Sequence, residues 1–265
     1  MPNWVRNDLK VQGTADDIKA FIEKVKTPNS DFDFNAIVPM PKTLNMVEGG
    51  KQEEAIVAYL TQNCEKPFTE EIRRKCVKYG VTNTFGKDDW QQTVYSRAKE
   101  TIEKDGEDME YSFASGAGDG EPMLTLYDAG KIYVDNIDKY GTSSWYHWSI
   151  KFWGTKWDAS DPCLSQDSDT EVCVEFETAW SAPVPIFEKL VELFPDMNMT
   201  LKFADEDLGS NCGILSWEDG TADEWYPGDE DDEALKFACS VWGFDYDEIK
   251  AEREEWEDDE DGKEE

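Results

Sequence analysis

The sequence predicts an α+β fold, in which one antiparallel sheet carries helices and is interrupted by a helical insertion. Three observations predict it. Residues 4–38 and 171–204 each run strand, helix, strand, and in residues 48–108 the apolar positions recur at helical spacing. A chain of 265 residues with 39% hydrophobic content can bury a substantial core.

The first strand is marked by Trp4, Val5, Leu9 and Val11 and ends at Gly13. Thr14-Ala15-Asp16-Asp17 is a helix-start signal, because a threonine side chain accepts from the free N–H groups of the first turn. Ile18, Phe21, Ile22 and Val25 then fall on one helical face, and Thr27-Pro28-Asn29-Ser30 stops the helix. Phe32 to Val38 is expected as a second strand. The insertion is expected to hold three helices: Glu53 to Cys64 with Ala55, Ile56, Tyr59 and Leu60 inward, Glu70 to Tyr79 with Ile72 and Cys76, and a third from Asp88 with Trp90, Val94 and Ala98. The Gly/Ser-rich stretch Ser112 to Asp119 is expected as a mobile loop.

Beyond it, Ser143 or Ser144 starts an aromatic helix from Trp145 to Trp153, which Gly154 ends. Glu171 to Thr178 alternates with Val172, Val174 and Phe176 on one side, as a half-buried strand must. Pro183 to Phe194 is an amphipathic helix, followed by a strand over Met197 to Ala204, a turn at Asp205-Glu206-Asp207 and a strand over Cys212 to Trp217. Two strand-helix-strand units on one antiparallel sheet make the ferredoxin-like plan. The expected division is a ferredoxin-like core of residues 1–47 and 109–217, a helical insertion at 48–108, and an acidic helical extension at 218–265. Within that extension Leu235, Ala238, Cys239 and Trp242 repeat helically, Asp245 and Glu248 open a last helix through Trp256, and the residues after it are expected as a disordered tail.

Charge points to the class of partner. There are 60 Asp and Glu against 26 Lys and Arg, a formal net charge of −34, yet aromatic residues reach 13%. Disordered acidic chains lack such side chains, so the acidity coats a folded body. This field repels phosphate, which disfavours direct nucleic-acid binding unless a basic face is hidden within it, and favours a basic protein as partner. From Glu218 onward there are 22 acids and 4 bases, so over half of the excess lies there. Glu248, Glu252, Glu255 and Asp259 form one row at helical spacing. At about 1.5 Å rise per residue, such a helix approaches the duplex density of about one charge per 1.7 Å. The expected contacts to a basic partner are Asp231, Asp232, Glu233, Glu248, Glu252 and Glu255, with Trp225, Tyr226, Trp242 and Trp256 as apolar anchors; the plain alternative is a solubilising face.

Other chemistries find less support. His147 is the single imidazole, which excludes paired-histidine phosphoesterases and HExxH zinc sites. Six cysteines without a CxxC pair read as reduced, packed thiols, although Cys163 and Cys173 lie close enough in sequence to meet across a turn. No GxGxxG or Walker-type loop occurs. Trp145, Tyr146, Trp148, Phe152 and Trp153 fit a buried helix. Alternatively Trp145, His147, Trp148 and Lys156 line a stacking pocket, and with Asp205 to Asp207 make a nucleotide-binding module or a metal-assisted phosphodiesterase. Asp205 to Asp207 otherwise form a solvated turn. No catalytic set, cofactor or metal is expected. The start Met1-Pro2-Asn3-Trp4 has no basic region leading into an apolar run, so the expectation is a cytoplasmic protein without a membrane span.

Several segments, taken in order, resemble the YubB ferredoxin-like family: Met-Pro-Asn-Trp-Val-Arg-Asn at the start, Ile37-Val38-Pro39-Met40-Pro41, Trp145-Tyr146 with Trp148, Trp153-Gly154-Thr155-Lys156-Trp157-Asp158-Ala159, and Thr178-Ala179-Trp180-Ser181-Ala182-Pro183. The resemblance spans roughly residues 1 to 217. It implies a ferredoxin-like domain with a helical insertion, in a protein carried by plasmids and bacteriophages, without an established catalytic set. The acidic C-terminal segment goes beyond the family pattern. Together these readings give the expected function: a mobile-element protein of the bacterial cytoplasm that binds a basic host protein, such as a nucleic-acid-binding defence factor, and inhibits it.

Overall fold

The computed structural model describes residues 3–82, 89–113, 123–228 and 232–261, with side chains as far as residue 255. From the N-terminus run β1 (Trp4–Gln12), α1 (Ala15–Val25) and α2 (Phe34–Ile37). Then come α3 (Gly50–Thr61), α4 (Glu70–Lys78), α5 (Trp90–Asp105), β2 (Glu110–Ser112), β3 (Met123–Thr125), α6 (Leu126–Tyr140) and α7 (Trp145–Phe152). The chain continues through β4 (Ser160–Ser168), β5 (Glu171–Ala179), α8 (Val184–Leu193), β6 (Asn198–Asp205), β7 (Gly213–Glu218), β8 (Thr221–Trp225), α9 (Glu233–Trp242) and α10 (Tyr246–Asp261). They group into two compact units, Met1–Pro39 with Ser149–Glu265, and Met40–Trp148.

The first unit is built on a six-stranded antiparallel sheet of order β4-β5-β1-β6-β7-β8. Counted from the β4 edge, the first four strands, β4-β5-β1-β6, have the ferredoxin-like order, with β1-α1-β4 and β5-α8-β6 as its two split halves. Strand alternation creates the core: Val5, Leu9 and Val11, Val172, Val174 and Phe176, and Met199, Leu201 and Phe203 are buried on one face. Ile18, Phe21 and Val25 of α1 and Ile186 and Leu190 of α8 are buried with them. Phe21 meets Phe194 at 5.7 Å and Phe32 meets Phe176 at 4.9 Å between ring centroids. Helix α1 starts where expected, with the Thr14 side chain and Asp17 forming a reciprocal capping box. The β7–β8 hairpin turns at Asp219 and Gly220, both with positive φ, as a two-residue hairpin requires.

The expected strand at Phe32 to Val38 is instead the single turn of α2. Asp33 explains it: its carboxylate accepts from the Ala36 N–H, so the chain is captured as a capped turn while Phe34 and Ile37 still reach the core. The partner strand of the first half is β4, far along the chain.

In the second unit α3, α4 and α5 occupy the stretch expected to be helical, and α6 and the β2–β3 pair join them. Its core is Ala55, Ile56, Cys76, Val94, Ala98, Phe113, Leu126, Ala129 and Tyr133, among others. Helices α3 and α6 approach closely at Gly130, where a methyl group would stand 1.9 Å from the Ala55 carbonyl oxygen. Glu54, buried beside this core, accepts from Arg97 through Nε and Nη2 and from the Thr101 hydroxyl.

Candidate protein-binding site

The C-terminal acids are carried by α9 and α10, and α9 is fixed to the sheet. Ala238 and Val241 are buried with Ala204 and Cys212, on the sheet face opposite α1 and α8. The Trp242 indole N–H donates to the carbonyls of Ala204 and Asp205, both at 3.1 Å. Trp242 was expected as a partner anchor; its N–H is committed to holding α9 on β6.

Helix α10 is tied down along one side. Lys250 Nζ donates to Asp232 at 2.7 Å, the Tyr246 hydroxyl donates to the same carboxylate oxygen at 2.7 Å, and Arg253 reaches the Leu208 carbonyl. These contacts hold the Asp232 carboxyl below the usual carboxylate range, Lys250 first and Tyr246 second. At 100° per residue Tyr246, Lys250 and Arg253 share one side, and Glu248, Glu252 and Glu255 fall on the opposite side, where all three are exposed. Both described basic residues of the helix therefore face the body, leaving the outward side acidic.

The remaining expected contacts divide. Glu233 accepts from the Gly228 N–H, so it and Asp232 act within the chain. Asp231 and the side chains of Trp256 and Asp259 lie outside the described residues, as do most of the Ser112 to Asp119 loop and the end of the expected tail. Trp225 is 38% exposed and sits edge-on to Phe237, and Tyr226 is 55% exposed beside Phe203.

The alternative ligand residues have other partners. Trp148 is buried and presents no open stacking face. Trp145 is half-buried against Tyr146, and exposed His147 pairs with Glu48 at 3.0 Å in a polar recess that includes Gln52, Lys78 and Ser143. Lys156 instead lies over the rings of Trp157 and Trp180. The turn expected to be solvated has a buried first member: the Asp205 carboxylate accepts from Asn3, Asn211 and the Asp207 N–H. All six cysteines are free, and burial pushes the Cys76 thiol up to about 11. One group with metal-ligand types, Asp167, Glu171 and Cys173, gathers beside Lys10, whose ammonium stands 3.0 Å from Glu171. Nothing in its residue type marks Trp180 as a surface residue; its positive φ, exposed ring and bonded backbone appear only in the fold.

Residues 152–261 match the family model described as the ferredoxin-like domain in Api92-like protein. This segment is a ferredoxin-like domain. The match takes in every strand of the large sheet except β1, which lies before it. The crystal structure of a protein api92 from Yersinia pseudotuberculosis is similar over 86% of this chain and 99% of that chain, at 11% identity and a TM-score of 0.40. No curated protein matches the sequence. Among the described residues, no helix is long and apolar enough to cross a membrane.

Proposed function

We propose that this chain is a binding protein that presents the outward side of α10 to a basic partner protein. The observation that carries the reading is the sorting of charge on that helix: Lys250 and Arg253 are spent on internal bonds, and Glu248, Glu252 and Glu255 stand together in water. A rigid row of carboxylates steers a cationic surface into contact and selects it by charge. A basic groove shaped for phosphates is the natural complement, since the row carries the sign of a phosphate strand with a charge about every 4.5–6 Å of helix axis. The partner is therefore a nucleic-acid-binding host protein, which the chain occludes. The resemblance to a family carried by plasmids and bacteriophages supports a bacterial defence factor as that host protein.

The test uses full-length protein carrying Glu248→Gln, Glu252→Gln and Glu255→Gln together, beside the wild type. Each is used to capture partners from the bacterial host, and each captured protein is then assayed for nucleic-acid binding with the chain as competitor. The expected result is that wild type competes, that competition weakens with added salt, and that the triple variant loses it. Undiminished competition by the triple variant would overturn the proposal.

A further inference from the structure

Two segments resembling family motifs, 153–157 and 178–183, are stapled together in the first unit. The Thr155 hydroxyl donates to the Ala179 carbonyl at 2.8 Å and the Ser181 hydroxyl to the Gly154 carbonyl at 2.6 Å. The result brings Trp157 and Trp180 to one surface, 37% and 42% exposed, with Lys156 Nζ 4.4 Å and 4.9 Å from their ring centroids. Trp4 adjoins Trp157 at 6.0 Å.

Trp180 is held there against its own preference. Its φ is +73°, a left-handed conformation that a bulky side chain rarely adopts. Its N–H donates to the Asn3 carbonyl and its carbonyl accepts from Asn211 Nδ2, at 2.8 and 3.1 Å. The buried Asp205 carboxylate in turn accepts from the side chains of both Asn3 and Asn211. One carboxylate thus fixes the two residues that fix the tryptophan, and the indole is held part-exposed.

We propose that Trp157 and Trp180 form an aromatic clasp for an arginine side chain of a protein partner, with Lys156 as the resident cation that the arginine replaces. The pair already holds a cation, which states the chemistry it accepts. The net charge of −34 draws basic partners to this surface. A guanidinium is planar and less strongly hydrated than an ammonium, so it stacks on an indole at lower desolvation cost and displaces Lys156. The inference rests on the proposed basic partner but uses a different part of the surface from α10.

Nonaarginine and nonalysine are the probes, titrated at about 150 mM salt so that long-range attraction is screened. Wild type is expected to prefer nonaarginine, and Trp180→Ala to weaken its binding about five- to tenfold, the size of one partly desolvated cation–π contact. Asn211→Ala, which keeps the indole but removes a bond that positions it, is expected to weaken binding in the same direction. Lys156→Met is expected to strengthen nonaarginine binding more than nonalysine binding, because it vacates rings that favour a guanidinium; loss of one positive charge alone would raise both equally. Unchanged affinity in a folded Trp180→Ala, weaker binding by Lys156→Met, or a single-stranded oligonucleotide perturbing the Trp180 indole signal in place of nonaarginine would each overturn the clasp. Loss in the Glu248/Glu252/Glu255 variant with no loss in Trp180→Ala removes the clasp and leaves the α10 reading. The reverse pattern removes α10 and leaves the clasp.

Discussion

Arg253 on α10 donates from Nη2 to the carbonyl oxygen of Leu208, 2.7 Å away, in the turn that follows β6. With Lys250 and Asp232 one turn earlier, this bond fixes which side of the helix faces water.

Replacing both cations, Lys250→Met with Arg253→Met, is expected to release α10 without disturbing the sheet. Hydrogen–deuterium exchange should then rise several-fold over residues 246–255 while β1 and β5 stay protected. Equal protection in the variant would mean that Ile249 and the other side chains suffice to hold the helix. The same variant makes the segment more acidic, so weaker partner binding would point to rigidity as the requirement, and charge alone would predict a gain.

Gly130→Ala places a methyl group against the Ala55 carbonyl, where 1.9 Å is available. Helices α3 and α6 must move apart, and the expected cost is about 1–3 kcal/mol or somewhat more. Thermal unfolding should fall by several degrees, with the loss concentrated in residues 40–148. A melting temperature equal to the wild type would show that the two helices separate freely.

Asp158 supplies a pH-dependent test. Burial raises its carboxyl to about 6, against bonds from the Phe34 and Ala159 N–H groups that oppose the rise. A carboxyl whose folded value is raised stays protonated in the fold while the unfolded chain has ionised. Its stabilising contribution is therefore present below about pH 4 and is lost as pH rises through 6. Asp158→Asn removes that dependence and keeps an oxygen acceptor. The melting temperature of the variant relative to wild type should increase from pH 5 to pH 7; a constant difference would show that Asp158 ionises without penalty.

Much of the fold was legible because burial leaves a period. Strand β5 alternates cleanly, and α1 and α8 carry apolar positions at helical spacing, so each declared itself. Strand β4 did not, since it is an edge strand with Pro162 within it and mostly exposed positions, which read as a polar loop. Helix α6 leaves a weaker period, because its buried side includes Ala129, Gly130 at the close approach to Ala55, and Asn136, which donates to the Thr43 and Ser143 carbonyls. At the site, the charge row of α10 followed from spacing alone. The roles of Asp232, Trp242 and Trp180 did not, because each depends on a backbone group or side chain brought from elsewhere in the chain.

Strand β1 stands in the middle of the sheet, yet its neighbours are the distant β5 and β6. On the ribosome it emerges well before either of them: Glu171–Ala179 must be synthesised before one edge of β1 finds a partner, and Asn198–Asp205 before the other does. At about 5–20 residues per second, that delay is roughly eight to forty seconds. Through that interval Val5, Leu9 and Val11 have no sheet to enter, while the elements of Met40–Trp148 are already complete. The middle strand of the sheet is thus the one whose two partners are both made long after it.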